Sequence, residues 1–165
     1  MTYQKQEMCD LIGYCDSDWA QDKIDRKSVT GYTFMLSNGA ITWKSTKQQT
    51  VAQSSSEAEY MALGEAVKET LWLKQLLTQI GMKFQKPVVI NEDNQGAIAL
   101  ASHPSNHGRT KHIDIKYHFI RDHVAKKDCV INSIRTDEMV ADVLTKNLGK
   151  IKFNKFVKDA GMQKI

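Results

Sequence analysis

The sequence has few cysteines, few prolines and no long hydrophobic run. Its three cysteines, at positions 9, 15 and 129, form no C-x-x-C pair, which argues against a disulfide framework or a zinc ribbon. No apolar stretch approaches the roughly 18 residues that span a bilayer, and residues 1–10 lack the apolar segment of a signal peptide. We therefore expect a soluble intracellular protein whose thiols are reduced.

Linker-like composition and a strong excess of one charge are also absent. The nine glycines and two prolines form no low-complexity segment, and there is no internal repeat. The 23 Lys and Arg residues against 19 Asp and Glu give a formal charge of +4, which is compatible with a polyanionic partner but common in ordinary domains. A chain of 165 residues suits one well-buried core. We predict a single domain over 1–165, with its core at 10–150 and a helical extension at 151–165.

The pattern of apolar and turn residues predicts a mixed sheet flanked by helices. We expect strands at 11–15, 29–36, 41–44, 87–91 and 129–134, and helices at 54–81, 94–101, 112–126, 137–148 and 153–160. Asn38-Gly39 between the second and third strands is typical of a hairpin. Hairpin strands followed by alternating strands and helices favour a sheet that is partly antiparallel and partly parallel. Such sheets bind ligands at the carboxyl ends of their parallel strands.

Acidic residues follow two of these predicted strands directly. Asp16 comes after the first strand, and Glu92 and Asp93 come after the fourth. If the two strands are parallel neighbours, Asp16 and Asp93 meet at one edge of the sheet, where their repulsion calls for a cation. A single acid there could equally cap a turn or a helix. Two acids at matching strand ends favour a shared site.

Two further acids come from predicted helices. Glu59 lies near the middle of the apolar face of the long helix at 100° per residue, whereas Glu57 projects off that face. The apolar face consists of Leu63, Ala66, Val67, Leu73, Leu77 and Ile80. An ionised Glu aimed at the core is unfavourable unless it is paired or bound to metal, although near a helix start it could also extend to solvent. Asp142, near the start of the helix predicted at 137–148, is the last candidate, and its alternative role is an exposed helix residue.

The four acids gain significance as a set. Asp16, Glu59, Asp93 and Asp142 offer hard oxygen ligands without His or Cys, a combination that suits Mg²⁺ or Mn²⁺. Two such ions about 4 Å apart can clamp an in-line phosphoryl transfer.

Several longer motifs resemble one known family. They are GYCDSDWA at 13–20, RKSVTGY at 26–32, WKS at 43–45, SSSEAEYMAL at 54–63, DNQ at 93–95, RTKHID at 109–114 and ADVLTK at 141–146. In this order, over nearly the whole chain, they resemble the ribonuclease H domain at the end of copia-type retrotransposon polyproteins. The resemblance implies a ribonuclease H-like α/β fold, with a five-stranded mixed sheet whose first and fourth strands are parallel neighbours. It also implies Mg²⁺-dependent endonucleolytic hydrolysis of the RNA strand of RNA–DNA hybrids, leaving a 3′-hydroxyl and a 5′-phosphate.

The resemblance assigns a role to each acid. Asp16 would bridge two Mg²⁺ ions, for which Mn²⁺ could substitute, and Glu59 with Asp93 would hold the ion on the leaving-group side. Asp142 would hold the ion that activates the attacking water. Glu59, followed by Tyr-Met-Ala, fits the family pattern of acid, hydrophobic residue, any residue and Ala better than Glu57 does.

Substrate-binding residues are also implied, each with a simpler alternative. The predicted set is Ser54, Ser55, Ser56, Asn94, Gln95 and Lys44. The three serines would form a phosphate-binding turn at a helix start besides capping it. Asn94 and Gln95 would donate to 2′-hydroxyls or base edges, unless Asn94 only caps a helix. Lys44 lies in a basic group on the hairpin with Arg26, Lys27 and Lys47, any of which could be a solvated surface charge.

Other features are compatible with more than one role. Glu92 departs from the uncharged residue usual in the family, and it either perturbs metal affinity or points to the opposite face of its strand. His112 or Asp114 could assist the site, although a structural role is favoured. Zinc is disfavoured because no paired Cys accompanies the histidines, which are His103, His107, His112, His118 and His123. No catalytic His is assigned before the last acid, because 129–136 leads directly to Asp137.

The resemblance implies two partners, an RNA–DNA hybrid and the adjacent reverse transcriptase domain of the same polyprotein. We expect no membrane association, a monomer as an isolated domain, and action in the cytoplasm within a virus-like particle, or in the nucleus. An alternative function is a weakly active tether that positions hybrid for the polymerase. An integrase-type nuclease of the same superfamily is disfavoured, because it needs a Glu about 36 residues after the second Asp, where Cys129 stands.

Overall fold

The computed structural model describes residues 10–102 and 111–162, with the backbone alone at 111–117. Within these ranges the strands are β1 (Leu11–Asp18), β2 (Val29–Leu36), β3 (Gly39–Lys47), β4 (Val88–Glu92) and β5 (Cys129–Ser133). The α-helices are α1 (Ser55–Gln79), α2 (Gln95–Ser102), α3 (Lys111–Ala125) and α4 (Lys150–Asp159). Two short 3₁₀ helices, Thr136–Glu138 and Val140–Leu144, lie between β5 and α4. None of the helices described is both long and apolar enough to cross a bilayer.

The five strands form one mixed sheet in the order β3-β2-β1-β4-β5. β1 pairs antiparallel with β2, and β2 with β3, whereas β4 runs parallel to both β1 and β5. The predicted fold class is therefore confirmed, including the parallel neighbours β1 and β4, in which Gly13 lies opposite Ile90. Because these two strands run side by side in one direction, the acids at their carboxyl ends lie at one edge of the sheet.

The predicted hairpin joins β2 to β3 through a two-residue turn. Ser37 and Asn38 have φ angles of 50° and 62°, and Leu36 pairs with Gly39. Two successive residues with positive φ are typical of a type I′ turn, whose twist matches that of the flanking strands. The turn is therefore centred on Ser37-Asn38, one residue earlier than the Asn-Gly pair indicated.

Helix α1 covers one face of the sheet and supplies much of the core. Tyr60, Leu63 and Val67 are almost completely buried against strand residues. Ser54 caps the helix by accepting a hydrogen bond from the Glu57 backbone N–H, and Gly81, at φ +93°, follows its last turn. These caps confirm the predicted start and end of the helix.

One residue assigned to the apolar face of this helix was wrongly placed. Ile80 is 69% exposed. It is the C-cap residue, with φ −89° and ψ 13°, so it has left the helical geometry on which the 100° periodicity depends.

The segment predicted as a helix at 137–148 is not an α-helix. Its two 3₁₀ helices are separated by Met139, which has φ −70° and ψ 104°. Residues 139–142 are buried at four successive positions. The segment packs directly on β2, since a Cβ on Gly31 would lie only 2.6 Å from the Thr145 methyl carbon. This close approach brings Asp142 to the sheet.

Helix α4 follows the 3₁₀ segment on the face of the sheet opposite α1. Ala160, at the end of α4, is fully buried against Met35 and Ala40. The Ala40 backbone N–H also donates to the Ala160 carbonyl at 3.4 Å. The end of α4 is thus attached to the β2–β3 hairpin.

Candidate metal-binding active site

Three acidic side chains meet at the carboxyl ends of β1 and β4. Asp16 comes from β1, Glu59 from the second turn of α1, and Asp93 from the residue directly after β4. One carboxylate oxygen from each lies within 4.8 Å of the other two. Asp16 and Glu59 are 0% and 6% exposed, so the charges meet largely out of water. The fold thus brings together three of the four predicted acids.

The chemistry of this group fits a divalent cation. All its donors are carboxylate oxygens, the ligands that Mg²⁺ and Mn²⁺ prefer. Oε2 of Glu59 is buried and has no hydrogen-bond partner among the described residues. Burial, with the nearby carboxylates of Glu92 and Asp16, raises the pKa of Glu59 well above its ordinary value. A bound cation would provide the missing partner and offset the repulsion.

The fourth acid, Asp142, lies on the other side of Asp16, and a lysine stands between them. The Lys146 ammonium is 2.9 Å from Oδ1 of Asp16 and 2.9 Å from Oδ1 of Asp142. The Thr145 hydroxyl hydrogen-bonds Oδ2 of Asp16 and lies 3.1 Å from the Asp142 carbonyl oxygen. Asp142 is 4% exposed. It therefore reaches the site, separated from the three-acid group by one ammonium.

Burial and ion pairing oppose each other at Asp16. Burial raises the pKa of Asp16 from 3.8 to about 6, although Lys146 and the Thr145 hydroxyl pull it down. The same ion pairs act in the other direction on the lysine. They raise the pKa of Lys146 above its ordinary value even though burial disfavours its charge. The lysine is therefore a permanent cation at neutral pH.

Sequence comparisons identify the family of the chain. No protein-family model matches the chain. It is 47% identical over 143 residues, 87% of its length, to the retrovirus-related Pol polyprotein from transposon TNT 1-94 of Nicotiana tabacum. It is 39% identical over 162 residues, 98% of its length, to that from transposon RE1 of Arabidopsis thaliana. The chain belongs to the retrovirus-related Pol polyproteins of copia-type retrotransposons. It spans 11% of the length of these relatives.

Comparison with solved structures identifies the fold of this part of the polyprotein. LC11-RNase H1, isolated from compost, superposes with a TM-score of 0.62 at 16% identity, covering 93% of this chain and 99% of that one. The same enzyme in complex with an RNA/DNA hybrid gives a TM-score of 0.58 at 16% identity, covering 82% and 94%. The PFV RNase H domain gives 0.55 at 14% identity, covering 93% and 92%. These likenesses show a ribonuclease H fold, as the motifs implied.

In this retrotransposon domain a further acid, Glu92 at the end of β4, lies next to the three-acid group. Its side chain is completely buried, accepts from the Cys15 thiol at 3.3 Å and accepts from the Asn94 backbone N–H at 3.0 Å. It lies on the α1 side of β4, like Ile90 two residues earlier. Burial raises the pKa of Glu92, and its carboxylate raises that of Glu59. Glu92 therefore lies on the face of the sheet that α1 covers, and its carboxylate acts electrostatically on Glu59. An effect on metal affinity stays a prediction.

The starts of α1 and α2 lie side by side next to Glu59 and Asp93. The Ser56 hydroxyl donates to Oδ1 of Asn94 at 3.1 Å, and the same oxygen accepts from the Ala97 backbone N–H at 3.0 Å. Asn94 thus caps α2, as Ser54 caps α1, while Ser54 and Ser55 stay exposed to solvent. A Cβ on Gly96 would lie 2.3 Å from the Ser56 hydroxyl, so only glycine permits this approach.

The remaining predicted substrate residues lie further out. The Gln95 amide donates to the Ser133 hydroxyl at 2.7 Å on the exposed end of β5. Lys44 is exposed on β3, two strands from β1, opposite Tyr32, which in turn pairs with Cys15. The backbone of Lys44 is therefore two strand spacings, or about 10 Å, from that of β1, so the structure does not bring Lys44 into the acid group.

No described histidine belongs to the three-acid group. Nδ1 of His123 is 2.8 Å from an Asp128 carboxylate oxygen, and Asp128 also pairs with Lys74 at 2.8 Å. His103 and His107 lie outside the described residues, and so do the side chains of His112 and Asp114.

Sequence reasoning missed the lysine and the threonine that contact Asp16. Both belong to the ADVLTK motif at 141–146, in which only the Asp was assigned a role. The available signal was the spacing of Asp142 and Lys146, four residues apart, which puts a cation beside a candidate ligand in any helical segment.

Proposed function

We propose that this domain hydrolyses the RNA strand of RNA–DNA hybrids during reverse transcription of its retrotransposon. The observation that carries the proposal is the group of carboxylates from Asp16, Glu59 and Asp93 at the end of parallel strands. Membership of the Pol polyproteins supports a role in reverse transcription. A solved complex of a protein of the same fold with an RNA/DNA hybrid supports the choice of substrate.

The four acids would hold two divalent ions, with Asp16 shared between them. Glu59 and Asp93 complete the ligand set on one side, and Asp142 completes it on the other. When bound there, Mg²⁺ neutralises the attacked phosphate and lowers the pKa of the attacking water. The attacking water would give up a proton as its oxygen forms a bond to phosphorus, the bond from phosphorus to the 3′ oxygen would break, and the 3′ oxygen would take up a proton.

The protein around the acids would position the strand to be cut. The exposed hydroxyls of Ser54 and Ser55 at the start of α1 suit a phosphate oxygen. Ser56, Asn94 and Gln95 line the next stretch towards β5, where 2′-hydroxyls could be recognised. Lys44, about 10 Å from β1, would contact a phosphate further along the duplex. We also propose that the reverse transcriptase domain is its neighbour and that it acts in a cytoplasmic virus-like particle or in the nucleus.

The test is cleavage of an end-labelled RNA strand paired with DNA, in Mg²⁺. We expect the wild-type chain to cut this RNA and to leave RNA–RNA and DNA–DNA duplexes intact. Asp16→Asn should abolish cutting, whereas Asp18→Asn, the same change two residues along β1, should retain it. Equal cutting by wild type and Asp16→Asn would refute the proposal. Mg²⁺-dependent binding without cutting, alone and fused to the polymerase, would instead favour the tether function.

A further inference from the structure

The position between Asp16 and Asp142 is taken by a side chain of the protein itself. The Lys146 ammonium lies 2.9 Å from one oxygen of each carboxylate. Both carboxylates are buried, with side chains 0% and 6% exposed, while the lysine side chain is 35% exposed. The ammonium therefore enters this buried pair from the solvent side.

We infer that Lys146 is an internal cation that occupies the second metal position, and that a divalent ion binds between Asp16 and Asp142 only after the ammonium has moved out. The inference rests on the proposed function, because it takes the four acids as metal ligands. Mg²⁺ binds carboxylate oxygens at 2.0–2.1 Å. An ammonium in hydrogen-bond contact with the same two oxygens leaves no room for that ion, so the two cations are mutually exclusive.

The local structure allows the lysine to leave without unfolding the segment. The Lys146 backbone N–H is held by the Asp142 carbonyl at 2.9 Å, and the Thr145 hydroxyl independently contacts Asp16. Only the flexible four-carbon stem of Lys146 has to rotate, and it is already partly in solvent. Asp142 would keep a second cation nearby, since the Lys152 ammonium is 3.6 Å from its Oδ2.

The three-acid group is not blocked in this way. Asp16 contacts the ammonium through Oδ1 and the neutral Thr145 hydroxyl through Oδ2, while Glu59 has a buried oxygen with no partner among the described residues. We therefore expect two unequal events in the absence of substrate. One ion binds at Asp16, Glu59 and Asp93, and a second binds only at much higher concentration.

The experiment counts bound ions directly, using Mn²⁺ and electron paramagnetic resonance of the free ion on the full chain without nucleic acid. Wild type should bind one ion tightly. Lys146→Met, which keeps an unbranched side chain one atom shorter and removes its charge, should bind two, with the second dissociation constant lowered about tenfold or more. Lys152→Met is the matched control: it removes one charge from the same carboxylate without vacating the position, and it should still bind one ion tightly.

Two further measurements guard against a simple folding defect. Lys146→Gln, whose amide can still donate to one carboxylate, should also gain the second ion. In EDTA both variants should melt below wild type, because Asp16 and Asp142 lose their shared cation, and Mn²⁺ should raise their melting temperatures by more than it raises that of wild type.

Several results would overturn the inference. If Lys146→Met binds the same number of ions as wild type with the same affinities, the lysine does not occupy a metal position, although the proposed function stands. If Lys152→Met also gains a second ion, the loss of one positive charge near Asp142 explains the effect, and Lys146 does not have to occupy the metal position. If neither wild type nor Lys146→Met binds any Mn²⁺, the inference and the proposed metal-dependent function both fail.

Discussion

Replacing Asp16 by Asn should make the metal-free protein more stable while removing a ligand of the proposed metal site. Asp16 is completely buried, and its pKa is raised from 3.8 to about 6, so the folded protein resists ionising it. The Asn side chain resembles the uncharged form. Its carbonyl oxygen can accept from Lys146, and its amide can donate to the Thr145 hydroxyl, which can turn its own proton to the Asp142 carbonyl 3.1 Å away. The substitution thus removes a buried charge and leaves no unpaired polar atom.

The expected gain depends on pH in a defined way. Because the folded pKa is raised, the native state holds a proton that the unfolded chain loses, and stability falls as pH rises from 3.8 through about 6. A shift of about two pKa units corresponds to about 3 kcal/mol once both states are ionised. Asp16→Asn should therefore raise the free energy of unfolding by about 3 kcal/mol at pH 8 and about 1.5 kcal/mol at pH 5. Below pH 3.5 the two proteins should converge.

Urea denaturation in EDTA at these pH values measures the difference. Asp18→Asn, a half-buried acid on the same strand, controls for the change of side chain and should shift stability little. Adding Mg²⁺ should stabilise wild type but not Asp16→Asn. If Asp16→Asn is no more stable than wild type at pH 8 without metal, burial of the charge does not govern this site and the reasoning is refuted.

Three further predictions concern the whole domain. In EDTA the melting temperature of wild type should fall between pH 4 and pH 7, because Asp16 loses its proton at lower pH in the unfolded chain than in the folded protein. Mg²⁺ should weaken that fall. A melting temperature that rises with pH in EDTA would contradict the prediction. Gly31→Ala should lower the free energy of unfolding by about 1–3 kcal/mol, because its Cβ would lie 2.6 Å from the Thr145 methyl, and an unchanged urea midpoint would exclude this tight packing. Leu63→Ala, at a site with 0% exposure, should lower it by about 2–5 kcal/mol, and the 38%-exposed Leu76→Ala by under about 1 kcal/mol; equal losses would show that α1 packs differently.

The sheet and the three-acid group could be predicted because both follow from short-range patterns. Asp16 and Asp93 were predicted to meet because each lies near the end of a predicted strand. Glu59 was predicted to face the core because of the helical periodicity of its neighbours. Each inference needed only the period of one element and the rule that parallel neighbours end at one edge. The roles of these residues as metal ligands remain predictions.

The surroundings of Asp142 could not be predicted in the same way. The apolar and polar residues of 137–148 resemble an amphipathic helix, but the segment forms 3₁₀ turns that pack closely on the backbone at Gly31. Where Lys146 points depends on that packing, because the buried carboxylate that attracts it comes from β1, 130 residues earlier. Contacts of this kind have no local sequence signal.

The position of the lysine changes how the charge of the site is balanced. Four acids beside a fifth, Glu92, would strongly destabilise a metal-free fold if all were ionised and unpaired. Lys146 compensates Asp16 and Asp142, and the raised pKa values of Glu59 and Glu92 mean that protons compensate much of the rest. A divalent ion arriving at Glu59 and Asp93 would therefore displace a proton, whereas one arriving at Asp142 would displace an ammonium. Both events should strengthen as pH rises from 5 to 8, because Asp16, whose pKa is about 6, would be a ligand in each. The first should gain more, because Glu59 also gives up a proton there.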